Sequence, residues 1–144
     1  MRVDARLVMT LALWLAVAGC ARHAAGPPPI TAGTPCALCG MDAVSMRFAC
    51  ERELDGKYRV YDSIECLLRD PPKTAGGAIY LPDYDQQVLH AADSLWVVHG
   101  SFETPMGGGL VAFLDRAAAD ELAATTRGRV GRLEAFATRE PGVR

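Results

Sequence analysis

The residues in this sequence best suited to chemistry carry sulfur. The chain has five cysteines, and two stand in the run Cys36-Ala37-Leu38-Cys39, followed directly by Gly40 and Met41. Thiolate and thioether sulfurs are soft donors that select monovalent copper over harder ions. A glycine between Cys39 and Met41 lets the backbone turn so that both sulfurs face one ion. A further sulfur stands at Met106, inside Thr104-Pro105-Met106-Gly107-Gly108-Gly109. A methionine set between a proline and three glycines is out of character for core packing. It reads as a loop tip whose glycines permit close backbone approach. Cys39, Met41 and Met106 together read as a Cu(I) site. Cys36 is a neighbouring thiol that becomes a ligand if the site uses two cysteines.

Other chemistries fit these residues less well. Structural zinc takes four ligands, commonly as two Cys-x-x-Cys pairs or with histidines at fixed spacing. Only one such pair occurs, and His90 and His99 do not supply the spacing. A thioredoxin-type pair normally opens a helix after a strand, whereas this one follows a proline-rich stretch. Thiol–disulfide exchange is kept as the alternative activity, one that would hold a partner's copper ligands reduced. It would need Cys36 and Cys39 and be indifferent to the methionines. Cys50 and Cys66 fall on a predicted strand and a predicted helix where both could face one core. A disulfide and a pair of buried thiols are both open to them, and buried thiols are favoured. No serine, histidine and aspartate stand at interpretable catalytic spacing. Asp62, Asp83 and His99 read as a helix cap, a turn residue and a polar strand position, so a binding protein is expected rather than an enzyme.

The sulfurs need elements to position them, and the chain from Cys36 alternates strand-like and helix-like patterns. Val44 to Glu53 reads as a strand, Asp55-Gly56 as a hairpin turn, and Tyr58 to Tyr61 as a second strand rich in β-branched and aromatic residues. Asp62-Ser63 caps a short helix over Ile64 to Arg69, which Pro71-Pro72 ends. Ala78 to Leu81 is the next strand. The second half repeats the order. Gln87 to Ala91, Leu95 to His99 and Leu110 to Leu114 are strand-like. Asp115 caps a helix from Arg116 to Thr125, Gly128 stops it, and Val130 to Phe136 closes as a strand. The expected class is α+β: two tandem ββαβ units, about 36–84 and 85–138, each too small to fold alone and therefore sharing a core.

The N-terminus reads as processing signal and anchor. Arg2 and Arg6 precede an apolar run from Leu7 to Ala18, long enough for a signal peptide and short of the about 20 residues a membrane-spanning helix needs. Val17-Ala18-Gly19-Cys20 has the small residues before a cysteine that mark a bacterial lipobox. Residues 1–19 are expected to be cleaved and Cys20 to be lipidated. Ala21 after the cysteine, in place of an aspartate, favours the outer membrane, facing the periplasm. Residues 20–34, with Pro27-Pro28-Pro29, Gly26 and Gly33, form an anchor and tether that reaches roughly 40 Å when extended. The copper-binding domain is then 35–144. Without the first nineteen residues the chain has 13 basic against 16 acidic side chains. That balance lacks the basic patch that nucleic-acid binding requires.

At these residues the sequence resembles the NosL family, the lipoprotein accessory factors of nitrous oxide reductase. The likeness runs through the lipobox, Cys36-Ala37-Leu38-Cys39-Gly40-Met41, Tyr61-Asp62-Ser63 leading into Cys66, and Pro82-Asp83-Tyr84. It continues through Ala92 to Val97, Pro105-Met106-Gly107, and Gly109 to Phe113 before the alanine-rich helix. The resemblance implies two ββαβ units, Cu(I) binding, and copper supply to apo nitrous oxide reductase alongside a periplasmic copper-delivery system. It places Cys39 and Met41 on the family's Cys-Gly-Met and Met106 on its Pro-Met. Family members often carry further methionines or histidines near the motif; here Met46 and His99 are the residues available for that secondary role.

Overall fold

A computed structural model describes residues 26–73 and 76–137. The expected signal peptide, the expected lipidation site Cys20 and the first part of the expected tether lie outside the described residues. The folded part opens with a small hairpin, β1 (Thr34–Pro35) and β2 (Asp42–Ala43), paired antiparallel. β3 (Cys50–Leu54) and β4 (Lys57–Tyr61) form the next hairpin, with Leu54 opposite Lys57. Asp55 and Gly56 both take positive φ, 53° and 73°, the backbone that a two-residue hairpin turn requires to match strand twist. α1 (Ile64–Arg69) follows, its first turn capped by Ser63, whose side chain accepts from the Cys66 N–H. Pro71 and Pro72 prevent its continuation. β5 (Ile79–Pro82) returns to the free edge of β3, and β6 (Leu89–Ala91) adds outside β5, giving the sheet order β4-β3-β5-β6.

The second unit repeats the plan. β7 (Trp96–His99) and β8 (Leu110–Phe113) pair antiparallel, α2 (Arg116–Thr126) crosses over, and β9 (Arg129–Gly131) lies on the other side of β7. The order β8-β7-β9 is that of β4-β3-β5. In both units the first strand is central, the second is its hairpin partner, and the third arrives after a helix. The expected pair of ββαβ units in an α+β fold is therefore present.

Four local expectations are corrected. The strand read from Val44 begins only at Cys50, because Phe48 and Ala49 donate backbone N–H bonds to the Ser45 carbonyl and close a turn. The segment Gln87 to Ala91 does not open the second unit. Gln87 has φ +58° at the end of a turn, and β6 pairs with β5 of the first sheet. The closing strand stops at Gly131, and Glu134–Ala137 is a short helix, α3. The residue that ends α2 in the left-handed conformation is Arg127, φ +54°. Gly128 is needed next because a Cβ there would stand 2.4 Å from the His99 carbonyl oxygen.

The two units share one core, as expected of pieces too small to bury enough surface alone. Tyr61, Ile64, Cys66, Leu67 and Leu81 of the first pack with Leu95, Val97, Leu110 and Ala112 of the second. Strand alternation sends Val98 to the opposite face, where Val111, Phe113 and the α2 residues Ala119 and Ala123 form a second cluster. Buried Asp83 ties the units together. Its Oδ2 accepts from Leu114 N–H at 2.8 Å, while Oδ1 accepts from the N–H groups of Asp85 and Gln86. The adjoining Tyr84 N–H donates to the Ala112 carbonyl at 2.8 Å.

Candidate metal centre

The β1–β2 hairpin presents the Cys-x-x-Cys-Gly-Met run as a tight knuckle. Cys36 N–H donates to the Met41 carbonyl at 2.8 Å, and Gly40 N–H to the Cys36 carbonyl at 3.0 Å. Gly40 has φ +77°, a conformation that costs a residue with a Cβ about 1–2 kcal/mol. Ala37 N–H donates to the Val60 carbonyl, which fastens the knuckle to β4. Asp62 and Cys66 lie just beyond the end of β4, on the approach to α1 and within its first turn. Ser63, not Asp62, supplies the cap hydroxyl, so the Asp62 carboxylate is free to face the knuckle. Asp62 precedes the extended N-cap residue Ser63, and Cys66 lies in the first turn of the helix, so the cap bend turns the two side chains toward one another.

These elements converge on one point. The ligand atoms of Cys36, Cys39, Asp62 and Cys66 all lie within 4.8 Å of one another. Cys36, Asp62 and Cys66 are buried, and Cys39 is exposed. The Cys39 thiol faces Asp62 Oδ2 at 3.7 Å, and the other carboxylate oxygen, Oδ1, is buried with no hydrogen-bond partner. An ionisable oxygen left bare in the interior is costly unless something charged meets it, and a cation would.

The thiols differ in acidity. Burial raises the Cys36 thiol, but backbone N–H groups of Cys39, Asp62 and Leu38 directed at its sulfur outweigh burial and bring it below the usual thiol value. Donors already aimed at this sulfur favour a thiolate and hence a metal ligand. Desolvation raises Cys39, with Cys36 and Asp62 adding to the rise against the Met41 backbone. Burial raises Cys66 strongly, and the Asp62 and Cys39 side chains add to it.

The other sulfur sites sort by place. Met41 is 46 % exposed on the knuckle. Met106 is half-buried and packs on the core group that contains Cys36 and Cys66. Met46 lines a separate cavity of about 370 Å³ with Pro27, Pro29 and Ile30 of the tether. His99 stands on β7, its ring 6.4 Å from that of Phe136. His99 is not among the four clustered donors. Cys50 and Cys66 are both free thiols; Cys50 points its sulfur at the Ser63 carbonyl, 3.4 Å away. Reasoning from sequence passed over Asp62 and Cys66 as donors. A usable signal was present: two capping residues stood before one helix, and the redundant one was spaced four from a cysteine.

No curated protein matches the sequence. The fold matches the crystal structure of the copper chaperone NosL from Shewanella denitrificans, with a TM-score of 0.63 and 18 % identity over 75 % of this chain and 92 % of that one. At that identity the likeness speaks for the fold. The family model described as NosL matches residues 27–139, which takes in the knuckle, α1, the Met106 loop and both sheets. With more than half its length so matched, the chain belongs to the NosL family.

Proposed function

We propose that this protein binds Cu(I) as cargo and is a metallochaperone rather than an enzyme. The carrying observation is the convergence of three thiols and a carboxylate within 4.8 Å, open to solvent at Cys39. A sulfur-dominated donor set selects a soft, monovalent ion, and the solved NosL of the same fold is described as a copper chaperone. Cys36 and Cys66 hold the ion from within, and Cys39 closes the set from the surface. Met41, exposed beside Cys39, and Met106, on the loop that Thr104 fastens to Glu65, supply thioethers to the same ion. A thioether is neutral and exchanges readily, so it suits the entry and exit of an ion. Asp62 Oδ2 accepts the Cys39 S–H hydrogen bond at 3.7 Å and holds that thiol at the mouth of the site. In this reading Cys20 anchors the chain by lipid to the outer membrane, facing the periplasm. The tether lets the domain reach apo nitrous oxide reductase and a periplasmic copper-delivery system.

One observation favours a second reading, a zinc site. Three cysteines and an aspartate meet zinc's tetrahedral number, and the second half of the donor set was not visible as a spaced pair in the sequence. The thiol oxidoreductase alternative has less support. The Cys-x-x-Cys run lies in a hairpin rather than at a helix N-terminus, so no helix dipole activates the exposed Cys39. The deciding experiment is competition for metal by the full chain, reduced and in detergent, against a Cu(I) chelator and against Zn(II). Uptake of about one Cu(I) that zinc does not displace is expected. Zinc displacing copper, or uptake of neither ion, overturns the proposal.

A further inference from the structure

We propose that Glu65 is the positioning residue that holds the Met106 loop of the second unit over the thiol group of the first. The proposal rests on the reading that Met106 is a copper ligand. Glu65 is the second residue of α1, directly before Cys66, and is 8 % exposed. Its Oε1 accepts from the Thr104 hydroxyl at 2.8 Å and from the Leu110 N–H at 3.1 Å. These two groups stand on either side of Met106. Thr104 also accepts from the Gly109 N–H at 3.1 Å, and Gly107 N–H donates to the Thr104 carbonyl at 2.9 Å. The loop is therefore folded around Thr104 and clamped at both ends by one carboxylate oxygen.

The glycine run has the same origin. Gly107 and Gly109 take φ of +70° and +64°. A Cβ on Gly109 would stand 2.1 Å from the Gly100 carbonyl oxygen, and one on Gly108 would stand 2.4 Å from Glu65 Cγ. Gly108 is thus bare because the Glu65 side chain occupies the space a larger residue would need. Thr104, Glu65 and the three glycines form one fitted joint beside the first turn of α1, and Met106 is the loop side chain packed on the shared core, of which Cys36 and Cys66 are members. The second Glu65 oxygen, Oε2, is buried with no partner, so Glu65 is kept in the interior for its contacts to this loop and not by an ion pair.

A residue that orients a ligand without touching the ion acts as an outer-shell partner, and loss of such a partner costs about 10–100-fold in metal affinity. In the full chain, reduced and titrated with Cu(I) alone against a Cu(I) chelator, Glu65→Ala should lose that much. Copper X-ray absorption should count one sulfur fewer around the ion. Glu65→Gln keeps an acceptor oxygen of the same reach, so it should restore both affinity and sulfur count. Thr104→Val cuts one clamp, should shift both readouts the same way by less, and carries the test should Glu65→Ala not fold. The double variant Glu65→Ala/Met106→Leu should bind no more weakly than Met106→Leu alone, because both changes remove one interaction. If the two losses instead multiply, Glu65 does not act through Met106; the proposal is overturned while Met106 stands as a ligand. If Met106→Leu has wild-type affinity and sulfur count, the ligand reading itself fails and takes the proposal with it.

Discussion

Cys66 and Cys50 offer an internally controlled test of the metal centre. Both are fully buried thiols in the same core, and they differ in that only Cys66 belongs to the four-donor group. Changing either to alanine deletes one buried sulfur. That removes the equivalent of about one methylene of transfer energy, ~0.8 kcal/mol, and leaves a small void costing ~24 cal/mol per Å³. Each variant should therefore unfold about 1–2 kcal/mol more easily, and by a similar amount. Affinity for Cu(I) should part them. A thiolate in direct contact with the ion contributes more than an outer-shell partner, so Cys66→Ala should weaken binding by more than ~100-fold. That is more than ~2.8 kcal/mol at ~1.4 kcal/mol per factor of ten. Cys50→Ala should stay near wild type. Burial raises the Cys66 thiol, so the metal-free protein keeps it protonated, and copper must displace that proton as it binds. The assay pairs urea unfolding of the metal-free chain with Cu(I) chelator competition of the same preparation. Equal affinity losses in the two variants would refute the reasoning, because the effect would then follow packing and not ligation.

Further outcomes follow from other parts of the molecule. Burial raises the Glu51 carboxyl above its ordinary value, and Oε2 is buried without a partner. The stability that Glu51 contributes is complete below the unfolded carboxylate range and is lost as pH rises through the folded value. Glu51→Gln should therefore gain stability over wild type at about pH 7 and little at about pH 4; urea unfolding at both pH values checks it, and an equal effect at both contradicts it. Asp83→Ala strips the acceptor from three backbone N–H groups and should cost about 3 kcal/mol, read as a lower urea midpoint at unchanged slope. Gly109→Ala adds strain at φ +64° and a clash with the Gly100 carbonyl, and should cost more than ~1 kcal/mol of stability. Cys20→Ser should block lipid attachment and leave the signal attached; normal maturation and unchanged membrane fraction would argue against the anchor.

Local chemistry made much of this protein legible in one dimension. The Asp55-Gly56 turn, the Ser63 and Asp115 caps and the β-branched strands each state their conformation within a few residues. Because the two halves state theirs in the same order, the pair of ββαβ units could be read from the chain. The Cys-Gly-Met run also carries its own meaning, since a glycine between two sulfur side chains is a property of adjacent residues. The boundaries that misread were set by pairing. Leu89–Ala91 looks equally strand-like beside either unit, and only the free edge of β5 decides where it goes. The inner half of the four-donor group was out of reach for the same reason. Cys36 and Cys66 lie thirty residues apart and meet because β4 is bonded both to the knuckle and to β3, carrying α1 back over it. Asp62 looks like a cap until Ser63 is seen to do the capping. Glu65 looks like a surface helix residue until the second unit folds its Thr104–Leu110 loop onto it. A side chain's type is written in the sequence, but its partner across the core is set by strand order and shared packing.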